Sequence, residues 1–249
     1  MPKKPVSSSA SKTSLKEKIA LVTGATQGIG FEIARALADE GCTLILSARN
    51  QARLRVVETQ LARKKVRVLA VPCDVRERQS VANLFAAIRQ HFRRLDILVN
   101  SAGIAHGFTP VSKLALETWN DVLSTNLTGI FLVTQTALPL MKRGATIANV
   151  LSMSSKRAFP NLAAYNASKF GALGFTSTLR AELRSEGIRV IALLPGATDT
   201  PIWDTLWPDA PREKMIQPAT VARALVDALK LPSESTVEEL NLMPTAGAV

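Results

Sequence analysis

Tyr165 and Lys169 stand four positions apart in AAYNASKFG, with only Asn166, Ala167 and Ser168 between them. On an α-helix that spacing puts both side chains on one face, one turn apart. A phenol titrates near 10 in water, and a neighbouring ammonium favours its ionised form. Such a pair could give and take a proton near neutrality, as a general acid and base does. Accident is the competing reading, because Tyr and Lys decorate many helices.

A second stretch suggests what the proton transfer would accompany. LVTGATQGIGFEIARAL places Gly24, Gly28 and Gly30 between an apolar run and a helical segment. Glycines there permit a tight turn and a close backbone approach, and the helix N-terminus offers N–H groups to a pyrophosphate. A Gly-rich turn alone is weak, since glycines also end strands, but the strand–turn–helix setting favours a dinucleotide site. About 20 residues on, at the end of the next strand, such folds read the adenosine ribose. The chain there reads LSARN, with Ser47, Ala48 and Arg49 and no carboxylate. Arg49 could pair with a 2′-phosphate, which favours NADP over NAD; the bland reading is a surface arginine.

These residues need a scaffold. Apolar β-branched runs at 18–23, 43–48, 66–71, 95–100, 146–153 and 188–195 alternate with helical segments at 28–40, 51–64, 78–92, about 116–141, 163–185 and 219–230. A last short strand falls at 237–242. Strands alternating with helices predict βαβ crossovers. The expected fold is α/β: one doubly wound Rossmann-type domain, a parallel sheet of about seven strands with helices on both faces. Residues 1–14 read as a disordered basic tail and 15–249 as the nucleotide-binding domain with an integral substrate site.

Composition closes off other classes. No apolar run reaches the roughly 18 residues of a membrane span. Net charge is +11, of which the chain through Lys18 supplies +4 from five Lys and one Glu. The rest is spread along the body without aromatic interleaving or a recognition module, so neither nucleic acid nor membrane is expected as partner. Cys42 and Cys73 lie in or beside apolar runs and suggest reduced core residues, no metal site and a cytoplasmic protein. A Ser-His-Asp hydrolase lacks its Gly-x-Ser-x-Gly elbow; His91 and His106 read as a surface helix residue and a loop residue.

With these motifs in order, the chain resembles the short-chain dehydrogenase/reductase family in its common 250-residue form, over roughly residues 15–245. The family's Thr-Gly-x-x-x-Gly-x-Gly pattern is met by Thr23, Gly24, Gly28, Ile29 and Gly30, with Thr26 and Gln27 inside it. The Asp after the third strand corresponds to Asp74, between Cys73 and Val75. The Asn-Asn-Ala-Gly motif appears as NSAG, from Asn100 through Ala102 and Gly103, with Ser101 in place of the second Asn. PGATDT, with Pro195, Gly196, Thr198 and Thr200, looks like the loop over the nicotinamide. The resemblance implies cofactor contacts from these residues together with Ser47, Arg49, Asn50, Tyr165 and Lys169.

It also implies roles at four catalytic positions. Tyr165 would protonate a carbonyl, Lys169 would bond the nicotinamide ribose, Ser152 would hold the substrate oxygen, and Asn126 would support a water-linked proton relay. The reaction would interconvert a ketone and a secondary alcohol, a 3-oxoacyl thioester being one candidate. The alternative is a nucleotide-binding regulator without catalysis. Homotetramers or homodimers are expected through the helices at 116–141 and 163–185. Trp203 and Trp207 would either cap an apolar substrate or pack the lid.

Overall fold

The computed structural model describes residues 13–247; of the basic tail, residues 1–12 lie outside the described residues. Thr13 is docked, its N–H donating to the Lys230 carbonyl at 2.8 Å.

Seven strands form one parallel sheet in the order β3-β2-β1-β4-β5-β6-β7. They are β1 (Ile19–Thr23), β2 (Thr43–Ala48), β3 (Val68–Pro72), β4 (Ile97–Asn100), β5 (Thr146–Val150), β6 (Arg189–Pro195) and β7 (Glu239–Leu242). The near-continuous apolar runs follow from burial on both faces. Ala20 and Val22 of β1, Leu44 and Leu46 of β2, and Ile97 and Val99 of β4 face one core. Leu21, Ile45 and Leu98, one residue out of step, face the other. A strand's period of two allows nothing else.

The first core is covered by α1 (Gly28–Asp39), α2 (Gln51–Ala62) and α8 (Pro218–Leu229), through Ile33, Leu37, Leu54, Leu61 and Leu225. The second is covered by α3 (Arg78–His91), α5 (Gly129–Ala137) and α6 (Ala163–Leu183), through Leu84, Ile88, Val133 and Leu179. Each fully buried Leu or Ile contributes roughly 1.5–3 kcal/mol. These layers fix where the C-terminal strand ends lie.

Two segments differ from the sequence expectation. The stretch at 116–141 divides into α4 (Leu116–Leu123), a widened turn over Ser124–Thr128, and α5. In that turn the Gly129 N–H reaches back five residues to the Ser124 carbonyl. Pro139 then ends the helical path in a 3₁₀ turn at Leu138–Leu140, since it has no N–H to continue it. Inside the segment after β6, a one-turn helix α7 (Trp203–Leu206) forms that the short, Pro-flanked sequence gave no sign of.

Candidate active site

The strand order reverses between β1 and β4, and a crevice opens past the C-terminal strand ends at that point, where open α/β sheets bind ligands. A cleft of about 410 Å³ runs from the tip of β2, across the glycine loop, to the segment after β6.

The glycine loop is shaped by contact. Gly24 has φ +66°, and a Cβ there would lie 2.8 Å from the Ala102 backbone. A Cβ on Gly30 would lie 2.4 Å from the Gly24 carbonyl oxygen, closer than any side chain survives. Thr23, behind the cleft, ties this loop to the one after β4: its Oγ1 accepts from the N–H groups of Ser101 at 3.1 Å and Ala102 at 3.2 Å. Ser101 enters this tie through its backbone N–H, which does not depend on its side chain. No side chain caps α1 at Gln27, so the first N–H groups of that helix remain available to an anion. Thr26, Gln27, Gly28 and Ile29 line the cleft above them.

At the tip of β2, Arg49 is exposed and lines the cleft with Asn50. Asn50 caps α2 by accepting the Arg53 N–H at 3.0 Å. Arg53 joins the lining, one turn from Arg49, and its Nη1 donates to Gln27 Oε1 at 3.1 Å. Arg53 escaped the sequence reading; the doubled arginine in ARNQAR, four apart across a helix start, was the available signal. No Asp or Glu among the described residues lines the cleft.

Ser47, Cys73, Asp74, Val75, Asn100 and Ala102 are not among the residues that line the cleft. Asp74 is gripped by Arg76, whose Nη2 donates to Oδ2 at 2.7 Å and whose Nε reaches Oδ1 at 3.0 Å. These bonds, with a smaller pull from Arg49, hold its carboxyl below the usual range. Asn100 belongs to a buried polar chain. Its Nδ2 donates to Asn149 Oδ1 at 2.8 Å and Thr134 Oγ1 at 3.0 Å, and Asn149 donates on to Thr176. Burial pushes the Cys73 thiol up and the Cys42 thiol to about 12, so neither is a nucleophile.

Ser152, Tyr165 and Lys169 converge on the middle of the cleft. Ser152 leaves β5 in extended backbone, its hydroxyl accepting the Ser154 N–H at 3.0 Å. Tyr165 and Lys169 rise one turn apart from α6, with Nζ 5.7 Å from the phenol ring centre. Lys169 is buried, donates to the Val150 carbonyl at 3.1 Å, and is pushed down to about 8 by desolvation. Tyr165 goes the other way: burial raises its phenol and only the Ser152 hydroxyl pulls it back. The lowering expected from Lys169 does not act on the phenol; desolvation dominates both groups, because it disfavours phenolate and ammonium alike.

Asn126 sits in the widened turn, fully buried and just behind the cleft, where its neighbour Thr125 forms the wall. Its Oδ1 accepts the Ile104 N–H at 2.9 Å. Both amide protons are engaged, by the Ile104 carbonyl at 2.9 Å and Ser168 Oγ at 3.0 Å. The side chain clamps the loop that carries Gly103 and Ile104. The i→i+5 bond that widens the turn sits where such turns often sit, beside functional groups.

Above the cleft, Pro195 ends β6, and Gly196, Thr198 and Thr200 lie in the loop after it. Arg212 pins it, donating to the Thr200 carbonyl at 2.8 Å and Asp199 Oδ1 at 3.0 Å. Trp203 both lines the cleft and packs the lid, its indole N–H donating to the Thr198 carbonyl at 2.8 Å. Ile104, Phe159 and Leu162 line the cleft, whereas His106 is buried outside its lining.

Residues 18–211 match the family model described as short chain dehydrogenase. A Streptomyces coelicolor protein provisionally named a ketoacyl reductase is 41% identical over 189 residues, 74% of this chain and 72% of that one. An alcohol dehydrogenase from Thermococcus sibiricus, solved with 5-hydroxy-NADP, superposes with a TM-score of 0.86 at 32% identity, covering 92% of this chain and 97% of its own. The 3-ketoacyl-(acyl-carrier-protein) reductase of Brucella melitensis, solved with NADH, gives 0.84 at 30% identity over 93% and 99%. The chain is an oxidoreductase with a nucleotide-binding fold and belongs to the short chain dehydrogenase family.

Proposed function

We propose that the protein is an NADP(H)-dependent reductase that interconverts a ketone and a secondary alcohol, with Tyr165 as general acid and base. The observation that carries the cofactor reading is the pair Arg49, just past β2, and Arg53, in the first turn of α2, with no carboxylate among the described residues in the cleft lining to accept from an unphosphorylated ribose. The rest of the nucleotide site fits as well: a loop in which Gly24 and Gly30 leave no room for a side chain, and a helix start with uncapped N–H groups. Arg49 and Arg53 would hold the 2′-phosphate, the α1 start the pyrophosphate, and Lys169 the nicotinamide ribose. When bound, the nucleotide supplies the hydride.

In reduction, the Ser152 hydroxyl donates to the substrate carbonyl oxygen and fixes it beside Tyr165. The phenol gives that oxygen its proton as negative charge develops there. Its raised pKa keeps it protonated and ready to donate. A positive charge gathered on Lys169 lowers the cost of the phenolate left behind. Asn126 acts by keeping Ile104 and Ser168, and through them the wall around Tyr165, in place. Alcohol oxidation runs through the same groups reversed.

A 3-oxoacyl thioester is one member of the substrate class, supported by the names of the two ketoacyl relatives. Assembly as a homodimer or homotetramer is supported by Phe131 on α5 and Phe170 on α6, both over a third exposed. No helix among the described residues is long and apolar enough to cross a membrane. Two buried free thiols suit a cytoplasmic setting.

The test is NADPH oxidation over a panel of carbonyl compounds, with wild type and Tyr165→Phe. The variant should lose about 10²–10⁴-fold in kcat while NADPH affinity is kept. Undiminished kcat in Tyr165→Phe would remove the assignment.

A further inference from the structure

The cleft is electrically sorted. Three cations line it: Arg49 and Arg53 at the β2 end, and Lys169 in the middle, turned to the Val150 carbonyl. Past Ser152 and Tyr165 the wall is made by Phe108, Phe159, Leu162, Trp203, Leu206 and Trp207. No charged side chain among the described residues lines that end. Of the two indole N–H groups on its aromatic wall, that of Trp203 is already bonded to the Thr198 carbonyl, and that of Trp207 belongs to a ring 37% exposed at the rim. Arg157 is exposed, its guanidinium over the Phe159 ring 5.6 Å from the centroid, and is not part of the lining.

A carboxylate or sulfonate carried into this end would give up water and meet no cation in the lining, a cost. An apolar arm would lose nothing. At the rim, Phe108 and Trp207 meet edge to face with centroids 6.4 Å apart, and remain 49% and 37% exposed. Half-exposed rings at a cleft edge leave apolar surface for a further ring, and aromatic pairs gain beyond the area they bury.

Resting on the reductase reading above, we infer that the substrate is an uncharged ketone bearing an apolar, ring-containing arm, and that Phe108 and Trp207 are specificity-determining residues that receive the ring. Anionic short-chain carbonyl compounds are excluded from this site.

Three methyl ketones with closely similar reacting carbonyls test this: butanone, benzylacetone with a phenyl-bearing arm, and levulinate with a carboxylate-bearing arm. With NADPH, kcat/KM for benzylacetone should exceed that for butanone by at least about tenfold, through KM, and levulinate should fall below butanone. Phe108→Ala and Trp207→Ala should each lower the benzylacetone-to-butanone ratio several-fold. Turnover of levulinate equal to or above butanone, or a ratio unmoved by both variants, would overturn the inference. Calorimetric binding of benzylacetone and levulinate to the full chain loaded with NADP separates the two readings. Binding of benzylacetone alone, with no ketone turned over, would sink the reductase reading and keep this one. Equal binding of both ligands would sink this one.

Discussion

Replacing Asn126 by Ala should damage the fold and the chemistry together. The side chain is fully buried and makes three hydrogen bonds, two of them to the backbone N–H and C=O of Ile104. Ser168 Oγ keeps its bond to the Tyr165 carbonyl when Asn126 is gone, so the loss falls on Ile104. A buried polar group left without a partner costs roughly 1–3 kcal/mol. Ile104 is only partly buried, so its two groups together should cost about 2–4 kcal/mol. For a chain of this size that lowers Tm by roughly 5–15 °C. Thermal unfolding followed by circular dichroism gives the first number, and steady-state kinetics of NADPH oxidation the second, where KM for the nucleotide should rise as the Gly103–Ile104 loop loosens. A variant with unchanged Tm and a collapsed kcat would refute the clamp and return Asn126 to a purely chemical role.

Gly30→Ala places a methyl 2.4 Å from the Gly24 carbonyl oxygen, which only backbone movement can relieve. It should cost about 1–3 kcal/mol and abolish nucleotide binding in a fluorescence titration. Gly174→Ala, in α6 with nothing within 4 Å of the new methyl, should instead stabilise by about 0.5–1 kcal/mol; equal losses at both sites would contradict the close-approach argument. Lys169 gives a pH signature. Its amine falls from 10.5 to about 8 on burial, so between those values the unfolded chain holds a proton that the native protein has released. Stability from this group therefore rises with pH across that window, by up to roughly 3 kcal/mol. The difference in denaturant midpoint between wild type and Lys169→Met should move in the wild type's favour from pH 8 to 10; parallel curves would show that Lys169 is not desolvated. Tyr165 and Cys42 titrate in the opposite sense there, and drop out of that difference.

The parallel sheet and its approximate strand count were legible because each strand is buried on both faces and each crossover carries a helical period; the strand order was not. The glycine loop and the Tyr165–Lys169 spacing were legible because turn geometry and helix pitch constrain residue type directly. Tertiary effects were not. The break in the stretch at 116–141 depends on a five-residue backbone bond that no side-chain pattern announces. The direction of the Tyr165 shift depends on how much water its surroundings remove, and the sequence suggested only the neighbouring cation. The three hydrogen bonds of the Asn126 side chain were not legible, since they exist only because the turn delivers it to Ile104 and Ser168. Arg53 became visible when Asn50 began α2 and set the two arginines at one end of the cleft.

The most direct test of the account is a fluorescence titration of the full chain with NADPH and NADH, for wild type and Arg49→Ala. A charge-assisted contact to the 2′-phosphate is worth roughly 1.5–3 kcal/mol, so wild type should bind NADPH about 10–150-fold more tightly than NADH. Arg49→Ala should bring the two affinities close together, with Arg53 holding what preference remains. Equal binding of both nucleotides by wild type, or an NADPH preference untouched by the substitution, would contradict the NADP reading at its root.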